Sequence, residues 1–247
     1  MHMAAAGGYA TIVNLLKLKG GDMLMKDDQG CLPLHFACNR GHTQVMRVFL
    51  REGVGRDKMD NAGKTPLHHA TLGRSRNVVG VLITEGANME ARDVMGRTAL
   101  HWACLQGFDD IVRMLLKANA DTEAACNNGQ TPVCAAAQRN QTDVVALLLN
   151  YQANPNTKDM NMRNAIIYAC EHVNEDMIRH LLRAFVDVNV RDRDGKTPLN
   201  LICDAGNARL VKELVDGGAV SDQIFDRVNP KQESVPIKSF GQLGMLG

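Results

Sequence analysis

Apolar residues along the chain recur in short stretches with helical spacing. Val45, Val48 and Phe49 share one face, as do Ile111, Met114 and Leu115, then Val144, Leu147 and Leu148, then Leu210 and Leu214. Residues three and four apart lie on one side of a helix, so each set predicts a short helix with one buried stripe. Gly20, Gly53, Gly86 and Gly218 are placed to close these helices. A second helix is predicted ahead of each. Pro33, Pro66, Pro132 and Pro198 start it, because a first-turn amide has no partner to lose. Gly8, Gly41, Gly107 and Gly206 end it, where glycine takes the left-handed cap most easily. Before most pairs stands a turn of the form Asp-x-x-Gly: Asp27 to Gly30, Asp60 to Gly63, Asp93 to Gly96 and Asp192 to Gly195. Asp suits the first turn position and Gly the last.

The unit repeats without slippage. Thr65-Pro66-Leu67-His68-His69-Ala70 recurs as Thr98-Ala99-Leu100-His101-Trp102-Ala103, as Thr131-Pro132-Val133-Cys134, and as Thr197-Pro198-Leu199-Asn200; Leu32-Pro33-Leu34-His35 precedes them and Asn164-Ala165-Ile166-Ile167 fills the remaining slot. First residues fall at 32, 65, 98, 131, 164 and 197, a spacing of 33, and Met1-His2-Met3-Ala4 aligns with Leu34-His35-Phe36-Ala37, so the chain begins inside a seventh copy. A turn and two helices at this period, with Thr-Pro-Leu-His-x-Ala, resemble the ankyrin repeat. The resemblance implies an all-α solenoid of stacked units over residues 1–219, with the first copy truncated, and a tail or linker over 220–247. Seven layers at about 10 Å each would make a rod of roughly 70 Å. It also implies that His35, His68 and His101 tie their rings to the motif Thr and to neighbouring backbone. The first copy lacks its turn, which suggests an excised fragment or a missing upstream cap.

Composition narrows the chemistry. With 28 basic and 27 acidic residues in 247, no global field recruits nucleic acid or an anionic membrane. No apolar run approaches the roughly 20 residues of a membrane helix, and no signal peptide opens the chain. Seven cysteines suit free thiols in an intracellular, cytoplasmic or nuclear setting. Four of them, Cys38, Cys104, Cys170 and Cys203, hold one repeat position. Helix layers stand too far apart there for a disulfide. Gly63-Lys64-Thr65 and Gly195-Lys196-Thr197 mimic a phosphate loop, but Lys58 and Val190 stand where its first glycine belongs. Asp192-Arg193-Asp194-Gly195 lacks the closing Glu of a calcium loop. His68 and His69 project about 100° apart, and no Cys or carboxylate joins them at ligand spacing along the chain. No metal, no cofactor and no catalytic constellation is expected.

In ankyrin stacks the turn tips and the outer side of the first helix line a concave groove, which implies a groove-facing row of Met3, Phe36, His69, Trp102, Ala135, Tyr168 and Leu201. One reading makes these anchors for a partner; the other packs them against the next repeat's turn. Between the turn Gly and the motif stand Cys31, Lys64, Arg97, Gln130, Arg163 and Lys196, four of them basic. They either pair with turn acids or form a basic rail for an acidic segment. Phe36, Lys64, His69, Arg97, Trp102, Gln130, Arg163, Tyr168 and Lys196 are therefore the expected partner contacts. The expected function is a non-enzymatic scaffold or adaptor holding a protein or peptide in the groove. A structural or regulatory segment of a larger enzyme or channel is the alternative. Asn156 and Asn189 match a position that an asparaginyl hydroxylase modifies in ankyrin repeats, beside the reading of ordinary turn asparagines. The sixth copy departs most, with Met162, Val173 and Phe185 in glycine positions. Its caps should be strained or remodelled, and Val173, which resists positive φ, implies a different loop there.

Overall fold

A computed structural model describes residues 1–220. Its helices come in pairs: α1 (His2–Ala6) with α2 (Ala10–Leu18), α3 (Pro33–Asn39) with α4 (Thr43–Arg51), α5 (Pro66–Leu72) with α6 (Arg76–Thr84), and α7 (Ala99–Gln106) with α8 (Asp109–Lys117). The series continues with α9 (Pro132–Gln138) and α10 (Thr142–Asn150), α11 (Ala165–Glu171) and α12 (Glu175–Arg183), and α13 (Pro198–Asp204) and α14 (Ala208–Asp216). Odd-numbered helices pack on one another in one layer and even-numbered helices in a second. The fold is all-helical among the described residues. Apart from Val220, the expected tail lies outside them.

The core runs between the two layers. Val45, Phe49, Ile111, Leu115, Val144, Leu148, Leu210 and Leu214 are buried, while Val48 and Met114 pack against its margin. Among the described residues no helix exceeds nine residues. Isolated helices that short are marginal in water, so packing between layers holds them. No helix among the described residues is long and apolar enough to cross a membrane.

Backbone polar groups set the register between repeats. Asn61 donates its N–H to the Gln29 carbonyl, Val94 to Ala62, Asn127 to Met95, Met160 to Asn128 and Arg193 to Asn161, all at 2.9–3.1 Å. A side-chain series repeats the tie. Asp57, Glu90, Glu123, Asn156 and Asn189 accept the N–H of Asn88, Asp121, Asn154, Asp187 and Val220. Asn156 and Asn189 thus bind the following repeat. Each also donates its amide to a carbonyl there, Asn156 to Phe185 and Asn189 to Gly218.

The motif histidines close the first helix of their own repeat and reach into the next. His101 Nδ1 accepts the Thr98 amide at 3.2 Å and its Nε2 bonds the Gln130 carbonyl at 3.0 Å; His68 does the same with Thr65 and Arg97. Nδ1 as acceptor and Nε2–H as donor is the tautomer these partners require. Asn200 supplies the Thr197 half of the arrangement with its amide oxygen. His35 has Leu32 where Thr would stand, and its Nε2 turns to the Lys58 carbonyl at 2.8 Å.

Every described residue with positive φ belongs to one of three periodic series: the turn, the first cap and the second cap. Glycine holds most of them, but the sixth copy places Met162 (φ 60°), Val173 (φ 50°) and Phe185 (φ 56°) there. Val173 therefore does not remodel its loop, contrary to expectation. Its N–H bonds the Cys170 carbonyl at 3.0 Å just as Gly41 bonds Cys38 at 3.3 Å. The stack imposes the loop, and the strain is borne instead, roughly 1–2 kcal/mol per residue.

Phe185 is 90% exposed, so little packing opposes that strain. Phe185→Gly should raise unfolding stability by about 0.5–1 kcal/mol after glycine's entropy cost is subtracted. Val173 packs against the core, so Val173→Gly should gain less. Denaturant unfolding measures both, and a loss for Phe185→Gly would contradict the imposed-loop account.

Candidate functional site

The turn aspartates build the groove side of the stack. In each of these turns one carboxylate oxygen accepts two backbone amides. Asp60 Oδ1 takes Ala62 and Lys64 at 2.9 and 2.8 Å, Asp93 Oδ1 takes Met95 and Arg97 at 2.8 and 2.9 Å, and Asp159 Oδ1 takes Asn161 and Arg163 at 2.8 and 3.0 Å. The other oxygen points at the first helix, nine residues on. Asp60 Oδ2 meets His69 Nε2 at 2.8 Å, Asp93 Oδ2 meets Trp102 Nε1 at 2.9 Å, and Asp159 Oδ2 meets the Tyr168 hydroxyl at 2.5 Å. An aromatic with a polar head is needed to reach that oxygen. This spacing of nine was legible in the sequence and was missed.

The position after the turn glycine leans onto the same pair from the preceding repeat, so one niche forms per interval. Its content varies. Cys31 Sγ lies 3.6 Å from Asp60 Oδ2. Lys64 Nζ lies over the Trp102 ring, 5.1 Å from its centroid. Gln130 Nε2 donates to the Tyr168 hydroxyl at 3.0 Å, and Arg163 Nη2 donates to Asp192 Oδ2 at 3.2 Å. In the interval after Arg97 the turn residue is Cys126 and the helix residue Ala135. No carboxylate awaits Arg97 there, and its guanidinium rests over Trp102 instead, 5.0 Å from the ring centroid.

The expected contacts therefore separate. Trp102, Lys64, Arg97, His69 and Phe36 are half-buried and reach the groove surface. Phe36 meets His2 edge-on at 5.5 Å. Tyr168 and Gln130 are only 3% and 5% exposed, so they support the groove from beneath and are not available as direct contacts. Burial and the Asp159 carboxylate both push the Tyr168 hydroxyl above its ordinary range. Arg163 is held by Glu171 at 2.9 Å and by Asp192, while Lys196 lies 3.8 Å from Asp204. Arg163 on Asp192 matches the reading of a basic residue paired with a turn acid, whereas Lys196 meets an acid at the end of helix α13. Lys64 and Arg97 have no ion pair among the described residues. The apolar turn tips Val94 and Met95, 61% and 44% exposed, lie beside Arg97 and were not anticipated.

His69 also differs from expectation. His68 and His69 do point apart, but His69 is met by a carboxylate, Asp60, and stands close to Cys31 and His35. No such ligand neighbours His69 along the chain, but stacking joins residues about one repeat apart. Burial holds the His69 ring below its ordinary range despite the Asp60 carboxylate. Burial pushes the Asp60 carboxyl up, but the Lys64 amide and the His69 ring outweigh it and hold it below the usual range. None of the seven cysteines, all among the described residues, is in a disulfide.

A family described as "Ankyrin repeats (3 copies)" matches residues 1–93, 77–159 and 153–224. Among solved structures, the human ASB11 ankyrin repeat domain is similar with a TM-score of 0.77 at 23% identity, over 89% of this chain and 98% of that one. The ankyrin repeat domain of Bcl-3, described as a unique member of the IkappaB protein family, gives 0.75 at 27% identity, over 87% and 96%. A search of curated proteins found no match.

Burial holds the His35 and His101 rings down to about 4. An unfolded imidazole takes its proton near about 6.5, so acid favours the unfolded chain between these values. Stability should fall as pH drops from about 6.5 to about 4, by about 1.4 kcal/mol per pH unit for each such ring. His101→Asn, copying Asn200, should remove one ring's share of that slope. Urea unfolding at stepped pH values reads it, and a flat profile would contradict the buried neutral rings.

Proposed function

The chain belongs to the ankyrin repeat family, and on that premise we propose that it is a non-enzymatic scaffold or adaptor that holds an extended, acidic segment of a partner protein around Trp102. Ankyrin repeat domains are in general protein–protein interaction modules. The observation that supports the acidic segment is the state of the two cations over Trp102. Arg163 finds Asp192 one interval on, but the corresponding residue for Arg97 is Cys126. For Lys64 it is Asp93, whose free oxygen is already taken by Trp102. Both charges are thereby left for a ligand.

A partner carboxylate entering between Lys64 and Arg97 would gain two charge-assisted contacts while the chain beside it packs on the indole. Val94 and Met95 add exposed apolar surface at the neighbouring turn tip, which suits an apolar residue flanking the acid. His69 and Phe36 extend the surface toward the N-terminal repeats. Free thiols suit a reducing intracellular compartment.

Peptides selected from an unbiased display library against the full chain should be enriched in Asp and Glu. Their affinity should fall at least about tenfold with Trp102→Ala, near 1.4 kcal/mol. With Lys64→Ala or Arg97→Ala the association rate and its salt dependence should fall. Selected peptides without acidic bias, bound equally by all three variants, would contradict this reading.

A further inference from the structure

The niche between the second and third repeats carries a different chemistry from the others. Cys31, His35 and His69 each offer a ligand atom, and these atoms all lie within 4.8 Å of one another. Asp60 Oδ2 adds a hard oxygen donor, 3.6 Å from Cys31 Sγ and 2.8 Å from His69 Nε2. Elsewhere the position of Cys31 is held by Lys, Arg or Gln and that of His69 by Met, Phe, Trp, Ala, Tyr or Leu. Among the described residues, thiol, imidazole and carboxylate meet at this interval alone.

We propose that Cys31, His69 and Asp60 form a binding site for a zinc-class divalent cation, with water in the fourth position. Zinc takes sulfur at about 2.3 Å and nitrogen at about 2.0–2.1 Å in a tetrahedron, so its donors stand about 3.3–3.8 Å apart. The Cys31–Asp60 separation already fits. Cys31 and His69, within 4.8 Å of each other, must close by up to about 1.2 Å, and Asp60 Oδ2 and His69 Nε2 must open from 2.8 Å to about 3.3 Å, which side-chain rotation supplies. His35 stays outside the donor set: Nδ1 accepts the Leu32 amide and Nε2–H donates to the Lys58 carbonyl, which leaves its ring no lone pair for the metal.

Charge favours the cation. Asp60 Oδ2 lies 3.6 Å from Cys31 Sγ and Asp27 Oδ1 accepts the Cys31 amide at 2.7 Å, so two carboxylates surround the thiol and its proton, opposed by Lys64. Binding exchanges that proton for the metal: the S–H bond breaks, the S–metal bond forms, and one proton leaves to solvent. His69 coordinates through the Nε2 lone pair and carries its proton on Nδ1, giving up its bond to Asp60 as the carboxylate turns to the metal. A thiolate and a carboxylate then neutralise the dication.

The test uses the full chain, purified without a histidine tag, titrated with Co2+ as an optical stand-in for zinc. One Co2+ per chain should bind, with a thiolate-to-cobalt charge-transfer band and the visible absorption of tetrahedral cobalt, and Zn2+ should displace it. Cys31→Ser should abolish the charge-transfer band, whereas Cys126→Ser, at a buried thiol in another turn, should leave it. His69→Trp recreates the Asp93–Trp102 pairing and so keeps the fold while removing a donor; it should weaken Co2+ binding at least tenfold. Zn2+ should raise the Tm of the wild type and leave that of Cys31→Ser unchanged. No thiolate band in the wild type, or a band that survives Cys31→Ser, would overturn the proposal.

Discussion

The groove side of this protein depends on three turn carboxylates, Asp60, Asp93 and Asp159, each bonded in two directions. One oxygen closes its own turn through two amides, and the other fixes a side chain on the first helix. At 5–6% exposure Asp93 and Asp159 would be costly if left unpaired, so their bonds are obligatory. The turn cannot move without moving the groove residue. A surface assembled from loops is thereby held nearly as firmly as the helices behind it.

The same constraint lets the stack change chemistry from one interval to the next without changing backbone. A histidine, a tryptophan and a tyrosine each satisfy the inner oxygen, and a cysteine, a lysine, a glutamine and an arginine each lean on the resulting pair. Where Cys126 replaces the aspartate the niche loses its acid, and Arg97 is released toward Trp102. Binding character in this reading comes from single substitutions at fixed positions. Strain is local in the same way: in one repeat Met162, Val173 and Phe185 put all three left-handed positions on non-glycine residues, and its neighbours hold it in register.

The period of 33, the helix pairs and their caps were legible because each is written in residues close together in the chain. Pro66 starts a helix and Gly107 ends one by local sterics alone. The groove was legible only as a row of positions. Whether Tyr168 faces out or bonds inward depends on Asp159 and Gln130 from separate turns, and periodicity does not report hydrogen bonds across them. The pairing of Arg163 with Asp192, and the absence of such an acid for Arg97, needed a count of 29 residues forward, which becomes meaningful once the stacking is known. The Val173 loop was misjudged because a local preference was weighed without the repeats on either side.

Trp102 is the sole tryptophan of the chain, so its emission reports directly on the unpaired cations above it. The most direct measurement compares quenching of that emission by iodide and by caesium at low ionic strength. Two uncompensated cations predict that iodide quenches the more efficiently, and that Lys64→Ala and Arg97→Ala each shrink its advantage. Equal quenching by the two ions, or stronger quenching by caesium, would contradict a groove built to receive negative charge.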